Sequence, residues 1–122
     1  LFAPMIEEGF INCEISRTVI KQYLSNPFLN GIESLVLACT HYPLIKDEIV
    51  KFYNNKVKVI DSASVVAGYI KKELTGLKML NNDTSAKDMH FYVSDFTELF
   101  EITAKRFFKD SVHLEYFPLW KL

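Results

Sequence analysis

The segment Ser34-Leu35-Val36-Leu37-Ala38 limits what this chain can fold into more than any other. An apolar run this short, bounded by polar residues, fits a strand buried in a parallel sheet. It ends in Cys39-Thr40-His41-Tyr42-Pro43, and an apolar pattern at helical spacing follows from Leu44 to Tyr53. Pro43 suits the first turn of that helix, where a missing N–H costs nothing. A strand that hands its polar tip to a helix start is the corner from which α/β proteins are built. In such sheets ligands bind at the carboxyl ends of the strands.

The remaining segments repeat the alternation. Ile15, Val19, Ile20, Tyr23 and Leu24 recur at helical spacing between Glu14 and Leu24, and Asn26-Pro27 and Asn30-Gly31 mark a loop. Val57 to Ile60 is short and β-branched, so it reads as a second strand. Ser62 is expected to cap a helix from Ala63 to Leu74 that stops near Gly76. Asn81 to Ser85 is a polar loop and the place to expect local disorder. Met89 to Val93 reads as strand, Asp95 as the cap of a helix from Phe96 to Phe108, and Val112 to Phe117 as a last strand. The order implies an α/β fold with a largely parallel sheet covered on both faces. No internal repeat is visible, which excludes a solenoid.

Composition narrows the function classes. An apolar fraction of 49% over 122 residues is that of a folded domain. A formal net charge of -1 and the lack of a basic stripe argue against a nucleic-acid partner. Lys71-Lys72 and Lys105-Arg106 read as solvated helix faces. No stretch reaches the ~20 apolar residues of a membrane span. The two cysteines, Cys13 and Cys39, show neither metal-ligand spacing nor a secreted disulfide pattern. Cys13 is expected near a helix start in a structural role, His90 and His113 as structural or surface residues, and Trp120 as a packed anchor.

Cys39 is the candidate for chemistry, with a structural role as the alternative. A free cysteine after an apolar strand is ordinarily a small buried hydrophobe. At a strand tip beside a helix N-terminus, however, a thiol gains reactivity from the positive end of the helix. Thr40 adds a hydroxyl and a backbone N–H for an anionic group. His41, two residues on, exchanges protons near neutral pH.

Leu37-Ala38-Cys39-Thr40-His41-Tyr42-Pro43-Leu44 resembles the second catalytic-cysteine motif of glutamate racemases, in the aspartate/glutamate racemase superfamily. Phe2-Ala3-Pro4-Met5-Ile6-Glu7-Glu8-Gly9 is similar to the family's proline–hydrophobic–glutamate stretch. Ile60-Asp61-Ser62-Ala63 is similar to the strand–helix junction that follows the cysteine. Phe91-Tyr92-Val93-Ser94-Asp95, with Phe100, Ala104 and Phe107, is similar to the last strand–helix pair. The family usually has glycine where this chain has Ala38. Its amino-terminal aspartate–serine–glycine motif and first catalytic cysteine have no counterpart here. The chain, which starts at Leu1, therefore reads as the carboxyl-terminal half of such an enzyme, in a two-domain racemase-like architecture. Residues 1–60 would belong to one α/β domain carrying the Cys39 motif, and 61–122 would complete the other.

The resemblance implies a cofactor-independent isomerase, needing neither pyridoxal phosphate nor metal, that interconverts L- and D-glutamate with two cysteine bases. Such an enzyme is cytoplasmic and supplies D-glutamate for peptidoglycan in cell-wall biogenesis. It assigns Cys39 as one thiol, His41 as the group assisting proton transfer there, Glu7 as the residue tuning His41, and Thr40 with Cys39 as substrate-binding. The implied partners are glutamate, the missing amino-terminal half and, in some members, a further copy of the chain. An aspartate racemase-like enzyme, a non-catalytic amino-acid-binding module and a redox-active thiol protein are the alternatives. The chain alone is expected to be inactive.

Overall fold

The computed structural model describes residues 1–81, 90–108 and 112–119, without the side chain of Leu99. Met89 and Trp120, and most of the polar loop expected at Asn81 to Ser85, lie outside the described residues. The chain forms two compact units, Leu1–Asn81 and Asn82–Leu122.

In the first unit the elements are α1 (Phe2–Glu7), α2 (Glu14–Leu24), β1 (Ser34–Leu37), α3 (Lys46–Phe52), β2 (Lys58–Asp61) and α4 (Ser62–Gly76). Two 3-10 turns, Pro27–Leu29 and Tyr42–Ile45, complete it. Strands β1 and β2 pair in parallel, Ser34 opposite Lys58 and Leu37 opposite Asp61. The core gathers one or two residues each from α1, α2, β1, the turn Tyr42–Ile45 and α3: Met5, Ile6, Ile20, Leu24, Leu37, Ile45 and Ile49. Its centre is dry, with Ile6, Ile45 and Ile49 at most 1% exposed.

Helix α1 was not expected. It is only six residues long, and Pro4 sits in its first turn, where proline is tolerated. Its end is sharply defined. Gly9 takes a positive φ of 83°, its N–H bonds the Ile6 carbonyl, and the Phe10 N–H bonds the Met5 carbonyl. That pair of bonds closes a helix on a left-handed residue, and glycine adopts this conformation without a Cβ clash.

Three other expectations shift. The helix read from Leu44 begins as the 3-10 turn Tyr42–Ile45 and becomes α-helical only at Lys46. The cap of α4 is Asp61, whose carboxylate accepts the Ser64 N–H at 2.7 Å, while Ser62 is already the first helical residue. Coverage of the sheet also differs. Leu35, Leu37 and Val59 pack toward the core, but Val36 on the opposite face is 60% exposed. Helix α4, which follows β2, buries none of its residues, and Val65, Val66, Tyr69 and Ile70 are exposed. Helices α1 to α3 cover one face of the sheet; the other face has no cover within this unit among the described residues.

The second unit repeats the motif on a smaller scale. Strands β3 (Phe91–Val93) and β4 (Leu114–Tyr116) are parallel neighbours, with α5 (Glu98–Phe108) between them in sequence. Thr97, rather than the expected Asp95, receives an early helical N–H, that of Phe100 at 3.2 Å. Ala104 and Val112 are buried, and the Phe91 and Phe108 rings lie 5.1 Å apart. The architecture is therefore α/β with parallel pairing, in two small sheets. Among the described residues no helix is long and apolar enough to cross a membrane.

Candidate active site

Beyond Leu37 the backbone leaves β1 and turns at once. The Tyr42 N–H bonds the Cys39 carbonyl at 3.2 Å and the Leu44 N–H bonds the His41 carbonyl at 3.1 Å. This tight turn folds the side chains of Cys39, Thr40 and His41 toward one another. His41 Nδ1 lies 3.7 Å from Cys39 Sγ and 3.4 Å from Thr40 Oγ1. The other ring nitrogen, Nε2, is 2.9 Å from Glu7 Oε1.

Glu7 comes from the last turn of α1. Met5 and Ile6 anchor that helix in the core, and the Phe2 ring meets Tyr42 edge-on at 5.5 Å. The four residues expected at the site are thus adjacent, in the order thiol, imidazole, carboxylate. The positive end of a full α-helix, expected beside Cys39, is replaced by a single 3-10 turn with little aligned dipole. The group facing the sulfur is the imidazole.

The contacts suit one tautomer of the His41 ring. With Nε2–H donating to the Glu7 carboxylate, Nδ1 presents a lone pair to the Cys39 S–H or the Thr40 O–H. Transfer of the thiol proton to Nδ1 leaves a thiolate beside an imidazolium, whose second N–H is still held by Glu7. His41 is 26% exposed and Glu7 53% exposed at the side chain. An ion pair this open contributes at most about 1 kcal/mol to stability. Its chemical consequence is to orient the ring and select its tautomer.

Two further polar clusters hold the scaffold. Lys46, the first residue of α3, donates to Asp61 Oδ2 at 2.5 Å, while Asp61 Oδ1 caps α4. The Lys46 ammonium, joined by the Ser64 N–H, holds the Asp61 carboxyl well below the ordinary carboxylate range. Asp61 is depressed in the folded state, so its contribution is present above the unfolded value near ~3.9 and lost as pH falls below it. Asp61→Asn is expected to flatten the acid limb of a helical circular dichroism titration below about pH 4. An unchanged acid limb would contradict the assignment.

The second cluster fixes α2 to α3. Buried Glu48 accepts the Asn12 N–H at 2.9 Å and the hydroxyl of buried Ser16 at 2.6 Å. Asn12 carries a positive φ of 55°, a conformation asparagine tolerates better than most residues. Cys13 is the N-cap of α2, and the Ser16 N–H facing its sulfur pulls the thiol below its ordinary pKa. The expectation that Cys13 lies at a helix start holds. Glu48 and Lys46 are not legible in the sequence, because their partners lie 15 to 36 residues away, and Ser16 is legible only as a local partner of Cys13, not of Glu48.

Known proteins place this geometry in context. A glutamate racemase of Chlorobium phaeobacteroides is 35% identical over 112 residues, 92% of this chain and 41% of the relative. The chain is homologous to a portion of glutamate racemase. The enzyme of Persephonella marina agrees, at 36% identity over all of this chain and 44% of its own length. Among solved structures, glutamate racemase from Francisella tularensis in complex with D-glutamate superposes with a TM-score of 0.74 at 35% identity. It matches over 95% of this chain and 42% of its own. The Thermus thermophilus enzyme, in complex with β-chloro-D-alanine, gives a TM-score of 0.79 at 28% identity over 97% of this chain. No family model matches the chain. The chain spans somewhat under half the length of the glutamate racemases it matches.

Proposed function

We propose that this chain supplies the carboxyl-terminal part of a cofactor-independent glutamate racemase, with Cys39 as one of its two thiol bases. The observation that carries the reading is the line from Cys39 Sγ through the His41 ring to Glu7, with contacts of 3.7 and 2.9 Å. It stands in a chain homologous to glutamate racemase, one member of which was solved with D-glutamate bound. Aspartate racemization and binding without turnover draw no specific support from these residues.

Removing the α-proton of an amino acid with no electron sink requires a base on one face of the carbon and an acid on the other. Thiols suit both tasks, being small and readily tuned. Cys39 takes the proton on one face as thiolate, or returns it as thiol. His41 Nδ1 exchanges that proton with Sγ between turnovers, and Glu7 keeps Nε2 protonated so that Nδ1 stays available. The exposed Thr40 hydroxyl and backbone N–H hold the substrate carboxylate. The second thiol comes from the part of the enzyme that this chain does not span. In the whole enzyme residues 1–60 then belong to one α/β domain and 61–122 complete the other, a boundary that falls before α4, whereas this chain by itself divides after Asn81. The exposed apolar residues of α4 support that division, since they need a surface that the first unit does not provide.

The test separates chemistry from folding. In an enzyme completed by its remaining portion, His41→Asn is expected to lower kcat/KM by roughly 10²–10⁴-fold, the usual worth of a general acid–base group. Glu7→Gln keeps an acceptor for Nε2–H but removes the charge, so it should cost less and displace the pH profile of kcat/KM. Because the pair is open to solvent, neither change should alter the unfolding midpoint appreciably. Full activity with an unaltered pH profile in both variants would contradict the proposal.

A further inference from the structure

The packed helices α2 and α3 leave a groove between them with a volume of about 340 Å³, within the range of small-molecule sites. Ile20 and Phe52 give it an apolar surface. Arg17 and Lys21, one turn apart on α2, and Lys51 on α3 also line it, and none of the three joins an ion pair among the described residues. The single lining carboxylate, Glu48, is already engaged, one oxygen with Ser16 and the other with the Asn12 N–H. The groove therefore combines an apolar surface with an excess of cationic donors. Neither Cys39, His41 nor Glu7 lines it.

We propose that this groove binds a small amphipathic organic anion, with a flat apolar body against Phe52 over the groove floor at Ile20 and an acidic head among Arg17, Lys21 and Lys51. The charge balance selects the occupant. A neutral apolar ligand would leave three cationic heads competing with water at its edge, and a cationic one would be repelled. A carboxylate or sulfonate gains charge-assisted hydrogen bonds from guanidinium and ammonium while its ring covers apolar surface. Arg17 adds a planar fork that pairs with a carboxylate through two parallel bonds.

The probe is 2-naphthoate, added to the isotope-labelled 122-residue chain and followed through backbone amide shifts. Saturable shifts are expected at Asn12, Ile20, Glu48 and Phe52, with a dissociation constant on the order of a millimolar, as ligand efficiency allows for so small a molecule. The neutral analogue 2-naphthalenemethanol should bind about five-fold more weakly, and so should 2-naphthoate to Lys21→Glu. Raising the ionic strength should weaken the anion and leave the alcohol unaffected, an arm that needs no variant. Equal affinity for acid and alcohol, salt-independent binding, shifts centred on α4, or no saturable shift would each overturn the proposal.

Discussion

The 122-residue chain alone is expected to leave the circular dichroism of an L-glutamate solution unchanged, and to racemize it once a polypeptide spanning the rest of a glutamate racemase is supplied. Inversion delivers a proton to the face opposite the one it left, so a single thiol returns its proton to the same face and regenerates the starting enantiomer. One missing acid–base group costs roughly 10²–10⁴-fold. Losing the surrounding pocket with it removes the positioning of the substrate as well, worth further orders of magnitude. The chain covers 41% and 44% of two relatives it matches, so the complement would carry more than half of the enzyme. The apolar face of α4, with Val65, Val66, Tyr69 and Ile70 exposed, is a surface for such a complement to cover. Measurable racemization by the chain alone would contradict the two-thiol reading.

Ile45→Ala is expected to cost about 2–5 kcal/mol, the largest stability loss of any substitution considered. Ile45 is fully buried and shares one core cluster with Ile6, Ile20, Leu37 and Ile49, which come from four different elements. It also ends the 3-10 turn that begins next to His41, so the cavity left by alanine would loosen the backbone that aims the imidazole at Cys39. A domain is stable by only about 5–15 kcal/mol in total, so such a variant approaches unfolding. Urea denaturation followed by circular dichroism measures the effect, with Val36→Ala as the comparison. Val36 is 60% exposed, and its loss should fall within about 0.5 kcal/mol. Equal destabilisation by the two substitutions would mean that the core is not where the burial pattern puts it.

The strand at Ser34–Leu37 was legible because a short apolar run with polar ends has few other uses, and the cysteine at its tip followed from the same reading. The contact between Glu7 and His41 was not legible from local chemistry. The two residues lie 34 apart, and nothing in an acidic pair before a glycine points to a distant imidazole. Only the resemblance named them together, and the fold then showed how α1 carries the carboxylate there.

Helix α1 is not legible in the sequence because six residues show less than two turns of periodicity, although Gly9 is a stop signal at its end. The caps moved for a local reason. Asp61 and Ser62 are adjacent and both cap well; in the fold Asp61 caps with one oxygen while Lys46 from α3 holds the other, a contact that no local pattern shows. Coverage of both sheet faces follows, in the sequence, from the repeated strand–helix order. Val36 has the hydrophobicity of a covered residue, but the element that would cover it is not found in the first unit among the described residues.

The most direct test of Cys39 as a base is deuterium exchange at Cα. L-glutamate is incubated in D₂O with the completed enzyme and its Cys39→Ser variant, and both enantiomers are analysed by mass spectrometry. If Cys39 serves one face of the α-carbon with His41 and Glu7 behind it, the unaltered enzyme produces D-glutamate carrying one deuterium at Cα. The serine variant, with an oxygen far less acidic than sulfur, should form no D-glutamate while still binding a glutamate-competitive ligand. Deuterated D-glutamate formed by Cys39→Ser at the rate of the unaltered enzyme would contradict the account.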